Sequence, residues 1–281
     1  MRKVEQSLKI VFVLVLLSYG GTFAGVPLTN LEGVGGVAFN PLAYPANPGS
    51  SLGDPNSDFG KILGRPQIGG WYVNLGESKI SWTSFGIAET FAGRVEVSFG
   101  HETIAPSGAD YISKDSIGVK LLILPENAFG NWSPAVSAGV ISKHTSPVKI
   151  VSTADSSGYD YYIVATKLIK ELPRPVLLSG GVLSTNGYTT GVLGYSDNRD
   201  TTYFGNVDVL PLDNVAVGVE YKQGAKFDDG FKNADYWNTH LAWFVNKNLT
   251  LVAAYVNSGD EKSTSKVGFG EGLVLSFQYA F

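Results

Sequence analysis

The chain has 281 residues, of which 44% are hydrophobic and 16% charged, and its net charge is -4. The absence of Cys excludes a lipoprotein anchor, a disulfide framework and any thiolate metal site or nucleophile. The acidic balance argues against nucleic acid as a partner.

At the amino terminus Arg2, Lys3 and Lys9 precede an apolar run over 10–17, and Ser18-Tyr19-Gly20-Gly21 leads into Thr22-Phe23-Ala24. This layout predicts a secretory signal peptide over 1–24. The run is shorter than the roughly 20 residues of a transmembrane helix. Cleavage after Ala24 removes three basic residues and one acidic, leaving 18 Lys and Arg against 24 Asp and Glu, a charge of -6.

Residues 25–65 are rich in Gly, Pro and Asn, so an irregular segment is expected there. Val34, Val37, Phe39, Leu42 and Tyr44 recur in it between glycines. It reads either as a plug that folds into a lumen or as a periplasmic arm that docks a partner. The Gly33-x-Gly35-Gly36 run lacks the strand, helix and acidic residue of a dinucleotide site.

From Gln67 onward the pattern changes to segments of about ten residues, the length of a tilted membrane strand. Twelve are expected: 67–75, 79–87, 91–101, 115–124, 134–143, 159–169, 175–184, 202–210, 214–223, 236–246, 248–257 and 270–281. The clearest alternation sets Val215, Val217, Val219 and Tyr221 against Ala216, Gly218, Glu220 and Lys222. In a strand these two sets face opposite sides. The last segment places Leu273, Leu275, Phe277, Tyr279 and Phe281 on one face and ends the chain on an aromatic. It resembles the closing strand of a bacterial outer-membrane barrel, which implies that these five residues signal to the barrel-insertion machinery.

The connections support closure into a membrane barrel. Counted back from Phe281 with both termini periplasmic, they alternate long and short, except at Gly76-Glu77-Ser78 and with an intermediate length at 125–133. A periplasmic β-sandwich has no reason for that rhythm. The expected fold is therefore all-β: a transmembrane antiparallel β-barrel of about 12 strands over 66–281, with an irregular amino-terminal segment. Trp71, Trp243, Tyr203, Tyr221, Tyr255 and Tyr279 are expected on the outward parity, as interfacial aromatics.

Residues 67–281 with the signal peptide resemble outer-membrane β-barrels in general, porins among them. The motif P-L-T-N-L-E-G-V-G-G-V-A-F-N-P-L-A-Y-P-A over 27–46 is similar to the opening of the bacterial family catalogued as domain of unknown function 3034. That resemblance implies a Gram-negative envelope protein and supplies no catalytic or ligand residues.

The candidate lumen-lining residues are Arg94, Glu96, Lys120, Lys167, Asp208, Glu220, Lys222 and His240, because Lys or Arg facing lipid costs about 2–4 kcal/mol at the midplane. Their mixed signs fit either a hydrated pore or a closed lumen cross-linked by ion pairs. A rim hydrolase is the weaker reading: His144 has Ser142 and Ser146 nearby, His101 lies at a strand end, and no G-x-S-x-G is present. Acidic pairs such as Asp228-Asp229 with Asp235, Asp197 with Asp200, and Asp155 with Asp160 lack EF-hand spacing and read as solvated loop carboxylates that bridge lipopolysaccharide through divalent ions. No resident metal or cofactor is expected. The sequence thus points to a porin-like passive channel for small solutes in the bacterial outer membrane, with lipid, lipopolysaccharide and the insertion machinery as partners. A non-conducting barrel, plugged or docking an envelope assembly, is the alternative.

Overall fold

In a computed structural model of the protein, the described residues are 28–47, 62–148 and 153–281. The expected signal peptide and residues 48–61 lie outside them. Two short strands, β1 (Leu28–Thr29) and β2 (Gly35–Gly36), pair with each other near the amino terminus. The remaining strands are β3 (Gln67–Leu75), β4 (Ile80–Phe91), β5 (Val95–Pro106), β6 (Ile112–Leu124), β7 (Ala135–Ser146) and β8 (Ser157–Ile169). They are followed by β9 (Val176–Gly187), β10 (Tyr195–Leu212), β11 (Val215–Lys222), β12 (Tyr236–Phe244), β13 (Leu249–Asn257) and β14 (Glu271–Ala280). Each of these twelve pairs antiparallel with its sequence neighbours, and β14 pairs with β3 to close the barrel.

Alternation decides which side faces in. Along β11, Val217, Val219 and Tyr221 are exposed while Ala216, Glu220 and Lys222 are buried. In β14, Leu273, Leu275, Phe277 and Tyr279 are exposed on the outer wall, and Phe281 just beyond the strand is also exposed. Ile117, Val119, Leu121 and Ile163 continue this apolar exterior on β6 and β8. At the closing seam Phe277 lies across Gly70 of β3 in direct register. An aromatic ring over a strand glycine covers a gap that would otherwise expose backbone.

Several strands run past the expected ten residues. The turn between β4 and β5 falls at 92–94 rather than 88–90, because Ala92 and Gly93 adopt positive φ (50° and 64°). Consecutive positive φ values are what a tight hairpin with the right twist requires. At the end remote from the termini, the extended strands shorten the expected long connections to 107–111 and 188–194. The long-short rhythm therefore holds only in part, since 125–134 equals 147–156 in length.

One girdle expectation is overturned. Trp71 points inward and is 3% exposed, and its Nε1 donates to the Thr29 carbonyl at 2.7 Å. Both faces of β3 carry apolar residues, so alternation there could not reveal its sense. Inward-facing Trp71, Val73, Leu75, Ile80, Trp82, Val256 and Val274 form an apolar cluster with Leu28 and Leu31 inside the barrel.

Candidate functional site

The lumen holds chain as well as side chains. Residues 28–47 lie inside the barrel and are buried, apart from half-buried Phe39, Tyr44 and Asn47. Their local course follows from Asn30, whose Oδ1 accepts the N–H groups of Glu32 and Val34, both at 3.0 Å. Such side-chain closure of a turn is a habit of Asn. Gly33 follows at φ +82°, a conformation that L side chains resist, and passes directly against the Phe99 carbonyl.

The wall is cut to receive it. At Gly86 an added Cβ would stand 2.8 Å from the Gly33 Cα, and at Gly100 it would stand 2.5 Å from the Glu32 carbonyl carbon. At Gly118 it would lie 2.9 Å from Val34. Inward glycines on β4, β5 and β6 thus form a groove for the segment's backbone.

Polar docking occurs in three places. Glu96 and Lys120 face each other across β5 and β6 and form an ion pair of 2.9 Å. Glu96 also accepts the N–H groups of Gly35 (2.9 Å) and Ala46 (2.7 Å), and Lys120 donates to the carbonyls of Gly35 (2.8 Å) and Tyr44 (3.0 Å). Glu220 on β11 accepts from Ala38 (3.3 Å), Phe39 (3.0 Å) and Asn40 (2.7 Å) on the segment, and from Asn238 (2.6 Å) on β12. Hydrogen bonds to a carboxylate are about twice as strong as neutral ones.

The third place is a buried chain of charges. Glu32 pairs with Lys114 (3.0 Å) and with Lys143, Lys114 also pairs with Glu102 (2.9 Å), and Lys143 with Asp160 (2.6 Å). Trp82 donates to Glu102 at 3.1 Å. Burial works against the Glu32 charge, but Lys114, Lys143 and Lys222 outweigh it and hold the carboxyl well below its ordinary range. Gln278 on β14, Ser84 on β4, Ser137 on β7 and Thr166 on β8 add hydrogen bonds to Thr29, Leu31 and Ala43. The segment is therefore bonded around most of the barrel's circumference.

Of the lumen candidates, Glu96, Lys120, Asp208, Glu220, Lys222 and His240 are buried inside the barrel. Asp208 and His240 bond to each other at 2.6 Å, and Asn238 holds the other ring nitrogen at 2.8 Å. Arg94 instead sits exposed in the β4–β5 turn, reaching the Leu122 carbonyl at 3.3 Å. Lys167 shares the outward parity of Tyr161 and Ile163 at the end of β8, where Glu126 meets it at 3.3 Å. Its partner in a loop makes a rim position tolerable.

Asp160 is likewise no loop carboxylate, being 1% exposed on β8. Glu32, Glu102, Lys114 and Lys143 escaped the sequence reading, three of them because the expected strands stop short of, or at, their positions. His144 bonds to Ser157 across the strands at 2.9 Å, and Asp115, its neighbour on the other side, bonds to His101 at 2.7 Å instead. Both histidines sit on the outer face of the wall, and His144 bonds to Ser157 of the next strand rather than to Ser142 or Ser146, the neighbours that the weaker hydrolase reading would need.

A closed twelve-stranded antiparallel barrel with an apolar exterior has the fold of outer-membrane porins. Residues 28–278 match the family described as protein of unknown function (DUF3034), and the chain belongs to it. Among solved structures, the KdgM porin in complex with disordered oligogalacturonate superposes with a TM-score of 0.50 and 13% identity, covering 76% of this chain and 99% of that one. The NanC porin gives 0.50 and 11%, covering 77% and 99%. Outer membrane phospholipase A from Escherichia coli gives 0.42 and 9%, covering 76% and 95%. At these identities the likeness to the two porins is one of fold. No curated protein matches the chain.

Proposed function

We propose that the protein is a porin-like barrel of the bacterial outer membrane whose passage for small solutes is closed at rest by residues 28–47. The observation that carries this reading is the set of buried carboxylates and lysines, Glu96, Lys120, Glu220, Lys114 and Lys143, that bind the segment from several strands. A hydrated pore would leave such side chains facing water. Here their hydrogen-bonding capacity is spent on the backbone and on Glu32 of the segment. The apolar exterior suits lipid and the lipid tails of lipopolysaccharide, and the outward face of β14 suits the insertion machinery. The reading involves no catalytic step.

Planar-bilayer recording tests it. The intact chain is expected to stay closed, and deletion of 28–47 is expected to produce steady conductance in a barrel that still folds. Conductance of the intact chain equal to that of the deletion would refute closure by this segment. A deletion that folds and stays closed would favour the non-conducting structural barrel.

A further inference from the structure

The connection between β9 and β10, residues 188–194, folds into the lumen from the mouth remote from the termini. Tyr188, Val192 and Leu193 are buried there in the same apolar cluster as Leu28, Leu31 and Ala38 of the amino-terminal segment. The turn is strained, because Thr189 and Thr190 adopt φ of 50° and 58°, which β-branched residues rarely do. Such a backbone persists only where its surroundings fix it.

Part of that fixing comes from the barrel. Asn233, in the β11–β12 connection, accepts from the Thr189 N–H at 2.7 Å, and Thr145 on β7 donates to the Gly191 carbonyl at 2.7 Å. Tyr188 packs edge-on against Phe227 and Phe231, with ring centroids 5.1 and 4.7 Å away. The rest comes from the segment. Lys114 donates to the Thr190 carbonyl at 3.0 Å and to Glu32 at 3.0 Å, and it pairs with Glu102 at 2.9 Å. Its three N–H donors are thereby shared among turn, segment and wall. Turn and segment also border one cavity of about 50 Å³, with Thr189 and Thr190 on one side and Leu31, Glu32 and Phe39 on the other. Tyr236, which lines the same cavity, has its ring 6.2 Å from that of Phe39.

We propose that residues 188–194 are a second closure of the lumen, one that keeps its buried form only while residues 28–47 are seated, so that both mouths open together. The inference rests on closure of the barrel by that segment. Withdrawing the segment takes Leu31 and Phe39 from the cavity and Glu32 from Lys114. Water then wets the apolar underside of the turn and competes for the Thr190 carbonyl. The strained backbone, no longer fixed, relaxes out of the lumen. A passage cleared of the segment alone would stay blocked at its other mouth. Linkage makes the coupling reciprocal, so freeing the turn loosens the segment.

The chain has no Cys, so Val192→Cys reports burial of the turn without a competing thiol. Its labelling by a membrane-impermeant maleimide is timed in the full-length protein, after deletion of 28–47, and in full-length barrels in which Gly100→Leu has displaced the segment and produced conductance. Labelling is expected to be at least tenfold faster in the last two than in the first. In the reverse direction, Asn233→Ala in the full-length protein is expected to speed proteolysis of residues 28–47 at least tenfold. Equally slow labelling in a barrel that conducts without its segment sinks the coupling and leaves closure by the segment standing. So does proteolysis unchanged by Asn233→Ala. Conductance of the intact chain, read from the bilayer trace, sinks that closure and the coupling with it.

Discussion

Glu220 concentrates the argument at the scale of a residue. One carboxylate on the barrel wall receives three consecutive backbone N–H groups from a segment some 180 positions earlier in the chain. Replacing it with Ala strands those donors in a buried site, at about 1–3 kcal/mol each. Glu220→Ala is therefore expected to loosen residues 38–40 and expose the segment to protease while the barrel stays folded. Unchanged protease resistance would contradict the role assigned to this carboxylate.

Glu32 gives an expectation in pH. Its carboxyl is depressed below the ordinary 4.5 by the surrounding lysines. A depressed acid contributes its full stabilisation above the unfolded value and loses it as pH falls through the folded one. The contribution of Glu32 to seating should accordingly hold from pH 8 down to about 5 and fade only in stronger acid. A difference in protease resistance between the protein and Glu32→Gln that vanished between pH 7 and 5 would show that Glu32 does not anchor the segment.

At the scale of elements, the inward glycines of β4, β5 and β6 matter more than any one ion pair. They lower the wall where Gly33 and Val34 pass, so backbone meets backbone without side chains between them. Gly100→Leu would push directly against Glu32 and Gly33. The outward face of β5 is untouched, so the strand still alternates correctly. The variant is expected to insert and show the usual heat-dependent shift in electrophoretic mobility of a folded barrel, yet to conduct where the parent does not. Failure to conduct in a folded Gly100→Leu barrel would mean that the groove accommodates the change.

The same scale shows what could be read from the chain and what could not. Glu96, Lys120, Glu220 and Lys222 sit in strands whose alternation is unmistakable, and parity alone turns them inward. Lys167, expected in the lumen, faces outward instead, on the parity that Tyr159, Tyr161 and Ile163 mark in the same strand. Glu102 and Lys114 lie just beyond the expected ends of β5 and β6, because a strand length of ten residues describes what crosses the bilayer and not how far a strand continues beyond it. Trp71 fell on the wrong side because β3 is apolar on both faces, its inner face packing against residues 28–31 rather than facing water.

Over the whole molecule, two apolar surfaces coexist, one wrapped around the outside and one packed within. A charge on the outside is the direct test of where the barrel resides. Val119→Arg, near the middle of β6, is expected to cost about 2–4 kcal/mol when the protein folds into lipid vesicles. The same substitution on a wall facing water would cost almost nothing, so a negligible change in the urea midpoint would contradict the membrane assignment.

The sequence by itself determined the all-β class, the twelve strands, the outward faces of β11 and β14, and the aromatic end of the chain. These are local properties, written in a two-residue period. The tertiary structure alone decided what fills the lumen. Whether Glu32 meets Lys114 and Lys143, or Glu220 meets Phe39 and Asn40, depends on which strands closure brings around the segment. Partners separated by scores of residues leave no periodic trace. The inward face therefore looked in sequence like the wall of a pore, and closure of the barrel around residues 28–47 made it the lining of a packed interior.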